Sequence, residues 1–337
     1  MGVRTIFRPA GMQTWFSRRA EVRVLPARRA NEAMARNSKR SKVAFVLSGG
    51  ASLGAIQVGM LRALYERDIR PDLIVGTSAG ALNGAFIASR PQTVATADEL
   101  ASVWRSLRRT DVFPLNPLTG LFGFLGARDH LVPQSGLKRL IERHTEVELI
   151  ERTPIPLHVV AVDVITGEEL RLSRGPLLDA VLGSAAIPGV LAPVKWGDLT
   201  LMDGGVANNT PISHAVELGA QRIFVLPTGH ACALEESPRG ALALALHAIS
   251  LLTQRRLIDD VEQHRENAHL VVLPPPCPLR TQPIDFSHAD ELIARALEDA
   301  RRFLDSGGQD RPPIRMRVHR HGTARSEDAH RRNPAAA

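Results

Sequence analysis

One five-residue pattern occurs twice in this chain, as Gly50-Ala51-Ser52-Leu53-Gly54 and as Gly76-Thr77-Ser78-Ala79-Gly80. Each copy follows a short apolar run, Val43–Leu47 and then Leu73–Val75, and each precedes a stretch of helical periodicity. A strand-to-helix turn of this kind holds a serine hydroxyl out from the backbone, and glycines on both sides tolerate the strain. Two such turns in succession commit the chain to strand-turn-helix units. They also pose a chemical choice, because only one serine needs to be a nucleophile.

The alternation continues downstream. Helices are expected over Leu53–Arg67, Ala79–Ala88, Ala95–Leu107 and Leu177–Ala186, the last stopping before Pro188. Strands are expected over Asp72–Gly76, Leu157–Val164, Glu169–Leu172, Ile223–Leu226 and Leu270–Leu273, and Leu199–Met202 runs into Asp203-Gly204-Gly205. Thr210-Pro211 reads as an N-cap followed by proline at the first helical position, with Gly219 as the stop. Ala289–Leu304 gives a final helix. This order predicts an α/β fold with a mostly parallel central sheet flanked by helices. Ala241–Leu252 is apolar but contains His247 and is too short to span a bilayer, so a buried core helix is expected there. Asp111–Gln134 combines Phe113, Leu118, Phe122 and Phe124 with Gly120, Gly123 and Gly126, which suits either a lid facing lipid or a loop packed on the core.

Charge is unevenly placed. The 337 residues carry a net charge of +7, yet residues 1–42 hold eleven Lys/Arg against Glu21 and Glu32. Residues 309–337 hold seven Arg against Asp310, Glu327 and Asp328, so the stretch between is mildly acidic. A nucleic-acid binder is therefore not indicated. The basic ends lack apolar periodicity and read as disordered tails, with weak attraction to an anionic membrane surface as their alternative use. The first segment also has the Arg-rich look of a transit peptide, but no continuous apolar stretch of a secretory signal. Cys232 and Cys277 lie in neither CxxC nor metal-ligand spacing, so both are expected reduced and structural in a cytoplasmic protein.

The two turns differ in detail. Ser48-Gly49-Gly50-Ala51-Ser52 strings small residues where a strand meets a helix, which lets several backbone amides converge on one point near a positive helix end. A developing oxyanion needs such donors, and each is typically worth about 3 kcal/mol. The second turn has single glycines around its serine, and by analogy with α/β hydrolases an oxyanion loop precedes the nucleophile elbow. This order assigns Ser78 as nucleophile and the earlier loop as anion cradle. Ala51 and Ala55 break the dinucleotide and phosphate-loop templates respectively. For a base, Asp203 ends a strand before two glycines, while His214, His230 and His247 follow it in the order of a Ser-Asp-His triad.

Taken together, Leu47-Ser48-Gly49-Gly50-Ala51-Ser52-Leu53-Gly54, Gly76-Thr77-Ser78-Ala79-Gly80, Ser184-Ala185-Ala186-Ile187-Pro188-Gly189 and Asp203-Gly204-Gly205-Val206 with Asn209 and Pro211 resemble the patatin-like phospholipases. The resemblance covers residues 42–305 as a catalytic domain, with 1–41 and 306–337 as basic extensions. It implies a serine lipid acyl hydrolase with Ser78 as nucleophile, Asp203 as general base, no catalytic histidine and no metal or other cofactor. By motif position Gly49, Gly50 and Ala51 are the oxyanion donors, and Gly54, Gly76, Gly80, Gly204 and Gly205 support the turns. Two positions depart from the pattern: Ala51 stands where many members have glycine, and Leu53 where many have a basic residue. The competing readings are a His-containing serine esterase and a non-catalytic lipid- or partner-binding protein that keeps the fold. An acyltransferase is a variant of the enzyme reading.

Overall fold

The computed structural model describes residues 41–113, 130–229, 240–279 and 281–313. β1 (Val43–Leu47) is followed by a single 3-10 turn, Ala51–Gly54, and by helix α1 (Ala55–Tyr65). β2 (Leu73–Thr77) leads through Ser78 into α2 (Ala79–Ala88), and α3 (Val94–Ser106) starts where the Thr93 hydroxyl accepts the Thr96 amide. Then come β3 (His130–Val132), α4 (Ser135–His144), β4 (Leu157–Asp163), β5 (Glu169–Leu172) and α5 (Leu177–Ser184). Three short strands follow: β6 (Gly189–Leu191), β7 (Val194–Trp196) and β8 (Leu199–Asp203). The remainder is α6 (Ile212–Glu217), β9 (Arg222–Leu226), α7 (Ala241–His264), β10 (His269–Val272) and α8 (Ala289–Asp305).

β10, β9, β1, β2 and β4 lie side by side and all parallel. Most of their residues are buried on both sides, as continuous apolar strands of a covered sheet should be. On one face α1, α2, α3, α5 and α8 close a large core around Phe45, Leu47 and Phe224. On the other, Ile212 and Ala215 of α6 join Leu257 and Val261 of α7 over Val46, Val75 and Val225. The fold is thus α/β, with helices on both faces.

The register on β4 decides where the site forms. Val159 and Val160 pair with Gly76 and Thr77 of β2, and also with Leu172 and Arg171 of β5, so these two neighbours occupy opposite edges. Ala161 and Val162 pair with β5 and with Asp203 and Met202 of β8. β8 must therefore lie on the same edge as β2, running the opposite way. β2 ends at Thr77 opposite Val160, and β8 ends at Asp203 opposite Ala161. The two strand ends meet head to head.

Four expectations need correction. α7 is not a buried core helix in its first half: Leu244 and Leu252 are 53% and 71% exposed, because the stretch is apolar all round and only later residues such as Leu257 and Val261 reach the sheet. Pro211 occupies the N-cap with φ −77 and ψ 61, one residue before the helix, and the Thr210 hydroxyl pairs with Ser48 Oγ instead of capping. Cys277 is exposed at the surface, so it does not fill the packing role expected of a structural cysteine. β3, β6 and β7 were not anticipated, being three residues each. Cys232, residues 1–40 and 314–337 of the two tails, and residues 114–129 of the glycine-hinged segment lie outside the described residues.

Candidate active site

Ser78 stands between β2 and α2 with φ 53 and ψ −119, a left-handed conformation that costs a non-glycine residue about 1–3 kcal/mol. The flanking glycines do not carry this strain, since none of Gly54, Gly76, Gly80, Gly204 or Gly205 has a positive φ. They serve close approach. A side chain on Gly80 would collide with the Leu47 carbonyl, and one on Gly76 would come within 2.5 Å of the Gly80 carbonyl. Gly54 makes room for Trp104 and Ala79, while Gly204 lies against the Val160 carbonyl and Gly205 beside Asn209 and Asp203. The strain falls on the serine itself.

The Ser78 hydroxyl donates to Asp203 Oδ2 at 2.7 Å. Asp203 Oδ1 accepts the Gly205 amide, also at 2.7 Å. The aspartate is 7% exposed. Burial pushes its carboxyl up to about 6, against the lowering effect of the Ser78 and Gly205 hydrogen bonds. Desolvation thus brings a weak base towards the pH at which it would work.

The backbone of Ser78 is pinned by a residue whose role the sequence did not disclose. Ser184, fully buried, accepts the Ser78 amide on its Oγ at 2.9 Å and donates to the Val160 carbonyl at 2.6 Å. The segment around it also receives the other strand end: the Asp203 amide donates to Ala186 and the Gly204 amide to Ser184. One loop therefore holds both candidate reactive residues.

The other serine turn is differently employed. Ser52 is 2% exposed, its amide donates to Pro283, and its hydroxyl donates to the Gln282 carbonyl at 3.2 Å. Of the three amides expected as oxyanion donors, Gly49 is a correction: its N–H donates to the Asn209 carbonyl at 3.0 Å and is not free for a ligand. Among the described residues, no acceptor takes the amides of Gly50 and Ala51. Ala51 has φ 50, so this loop carries a second strained non-glycine residue. Leu53 is buried and brings no charge to this loop.

A chain of buried amides fixes that loop from beneath. Gln57 Nε2 donates to the Ser48 and Leu226 carbonyls, Asn83 Nδ2 donates to Gln57 Oε1 and to the Gly54 carbonyl, and Trp104 Nε1 donates to Asn83 Oδ1. Satisfied in full, such a network admits one arrangement of its members.

From Ser78 an apolar cleft runs between α2, α3, α4 and α5, with about 790 Å³ of atom-free space counting the solvent at its mouth. Its walls include Leu82 and Phe86 of α2, Trp104, Leu137 and Ile141 of α4, Val181 and Phe286. Phe113, the described residue at the start of the glycine-hinged segment, is buried and part of this lining. α4 is not among the helices expected from the sequence. Leu137, Leu140, Ile141 and His144 recur at helical spacing and were a usable signal.

Of the three histidines weighed as bases, the two described ones, His214 and His247, make no hydrogen bond to Ser78. His230 lies outside the described residues. His214 sits on α6 with its Nε2 2.6 Å from Glu169, and His247 is on α7. Among the described residues, Asp203 is the hydrogen-bond partner of the Ser78 hydroxyl.

An uncharacterized NTE family protein of Mycobacterium tuberculosis is 33% identical over 179 residues, covering 53% of this chain and 46% of that protein. Patatin-like phospholipase domain-containing protein 7 of Mus musculus is 32% identical over 203 residues, covering 58% of this chain and 14% of that one. The chain thus spans about half the length of the mycobacterial relatives it matches, and less of the mouse protein. Among solved structures, VipD from Legionella pneumophila superposes with a TM-score of 0.42 and 14% identity, over 79% of this chain and 67% of that one. The sequence profile described as Patatin-like phospholipase matches residues 45–216, which takes in both serine turns and Asp203. Half of the chain falls inside that match, and the chain belongs to the patatin-like phospholipase family.

Proposed function

We propose that this protein is a serine hydrolase of fatty-acyl esters, in which Ser78 and Asp203 act as a dyad through an acyl-enzyme. The observation that carries this reading is the 2.7 Å Ser78–Asp203 hydrogen bond at the mouth of an apolar cleft. An alkyl chain in that cleft leaves its ester carbonyl at the polar end, beside the strained serine.

Ser78 Oγ attacks the carbonyl carbon while Asp203 Oδ2 takes the hydroxyl proton. The carbonyl oxygen gains negative charge and is held by the Gly50 and Ala51 amides near the N-terminus of α2. The intermediate collapses, the alcohol leaves with the proton from Asp203, and Ser78 keeps the acyl group. Water then attacks the acyl-enzyme with Asp203 again taking the proton. Release of the fatty acid returns that proton to Ser78.

A fluorophosphonate probe tests the assignment. Labelling of the wild type that is lost in Ser78→Ala and retained in Ser52→Ala is expected. Labelling lost in Ser52→Ala alone would reverse the roles of the two turns. Absence of labelling in the wild type would favour the non-catalytic lipid-binding reading.

A further inference from the structure

Resting on the hydrolase reading, we propose that the cleft is a closed ruler, that Phe86 and His144 form its floor, and that it selects medium-length acyl chains. The wall residues Ser78, Leu82 and Phe86 recur at four-residue intervals, so they stack along one face of α2. Phe86 follows Ser78 by eight positions, which at 1.5 Å per residue sets it about 12 Å along the helix. Trp104 at the C-terminal end of α3 packs against Gly54 and marks the upper end of the cleft. His144 closes the C-terminal end of α4, and its ring lies 6.5 Å from the ring of Phe86.

This floor is fastened from below. The Arg90 guanidinium covers the Phe86 ring at 3.9 Å and donates to the carbonyls of Phe86 and His144, both at 3.1 Å. Glu146 at 2.8 Å and Glu99 at 3.6 Å hold the same guanidinium. An alkyl chain pressing on Phe86 would have to displace a side chain tied to three segments. Burial, and then the charges of Arg143 and Arg90, hold the His144 imidazole below its usual range, which favours the uncharged ring.

The length follows from bond geometry. Carbon–carbon bonds of about 1.52 Å meeting near 111° advance about 1.25 Å each, so about 12 Å accepts an extended chain of roughly eight to ten carbons. Octanoyl and decanoyl esters should fit, while a palmitoyl chain would leave its carbonyl short of Ser78.

The test uses two substitutions of opposite effect and two readouts. On the full chain, kcat/KM is measured for p-nitrophenyl esters from butanoate to palmitate. The wild type should peak at octanoate or decanoate. Phe86→Ala should move the peak towards laurate or myristate, and Leu82→Phe, one turn from the serine, should move it to butanoate. Should Phe86→Ala misfold, the Leu82→Phe shift still decides. Binding of the matching fatty-acid methyl esters to the Ser78→Ala protein repeats the profile without chemistry. A methyl-ester profile with the same optimum supports the ruler even if no ester is turned over, which would sink only the hydrolase reading. A flat length profile, or an optimum at palmitate in both readouts, overturns the ruler while leaving the hydrolase reading intact.

Discussion

Replacing Asp203 by asparagine separates what the aspartate does for chemistry from what it costs the fold. Asparagine keeps the shape: its Oδ1 can accept the Gly205 amide and its Nδ2 can donate to Ser78 Oγ. What disappears is the charge. Burial raises the carboxyl from 3.8 to about 6, so the folded chain holds that proton more tightly than the unfolded chain does. Between these two values the native state binds more protons than the unfolded state, and stability must fall as pH rises. At about 1.4 kcal/mol per pH unit, a gap of about two units makes roughly 3 kcal/mol, fully lost above the folded value. Asp203→Asn lacks this term. Its stability relative to the wild type should therefore improve by roughly 3 kcal/mol between about pH 4 and about pH 7, which is ~6–12 °C in melting temperature for a domain of this size. Urea unfolding of both proteins across that range measures it. The same substitution should lower kcat by a factor on the order of 10³, and wild-type activity should rise with pH through about 6 as the base ionises. If the two stability curves stay parallel, the buried charge is not where this reasoning puts it.

Other expectations follow from single contacts. Ser184→Ala leaves the buried Ser78 amide without its acceptor, costing about 1–3 kcal/mol; steady-state kinetics should show kcat reduced about tenfold or more with KM held, since the nucleophile is misplaced and not the substrate. Ala51→Gly relieves a left-handed alanine worth about 1 kcal/mol and adds a similar entropic cost in the unfolded chain. Its melting temperature should hardly move and its activity should persist, and lost activity would mean that the Ala51 methyl itself contacts substrate. His214→Ala should keep its activity towards a soluble ester, because His214 faces Glu169 and not Ser78. Abolished kcat would instead restore the triad.

Much of the site was legible because it is written in short local motifs. A glycine-flanked serine after an apolar run, and an Asp-Gly-Gly at a strand end, each announce a backbone geometry that their neighbours enforce. Contacts between distant segments were not legible in this way. Nothing local marks Ser184 as the acceptor of the Ser78 amide, and nothing in Gly49-Gly50 says which amide Asn209 will take. The short strands β3, β6 and β7 offer too few residues for a period to emerge. The first half of α7 was misjudged for a related reason, since an apolar run states a need for cover without naming what provides it. Its exposed Leu244, Ile249 and Leu252 leave that need open on the described surface.

The head-to-head meeting of β2 and β8 on one edge of β4 has a consequence for how the Ser78–Asp203 contact tolerates change. Ser78 and Asp203 are spaced by the backbone repeat of a third strand, one residue from Val160 to Ala161, and not chiefly by the rotamers of their own side chains. Such a gauge is indifferent to the identity of the side chains along β4, provided they remain buried and the ladder remains in step. It is intolerant of insertion: one extra residue in β4 between these pairs would separate the strand ends by about 3.3 Å and turn the following side chains to the other face. Residues around the cleft can therefore be exchanged, while the length of a plain apolar strand keeps Ser78 and Asp203 in reach of each other.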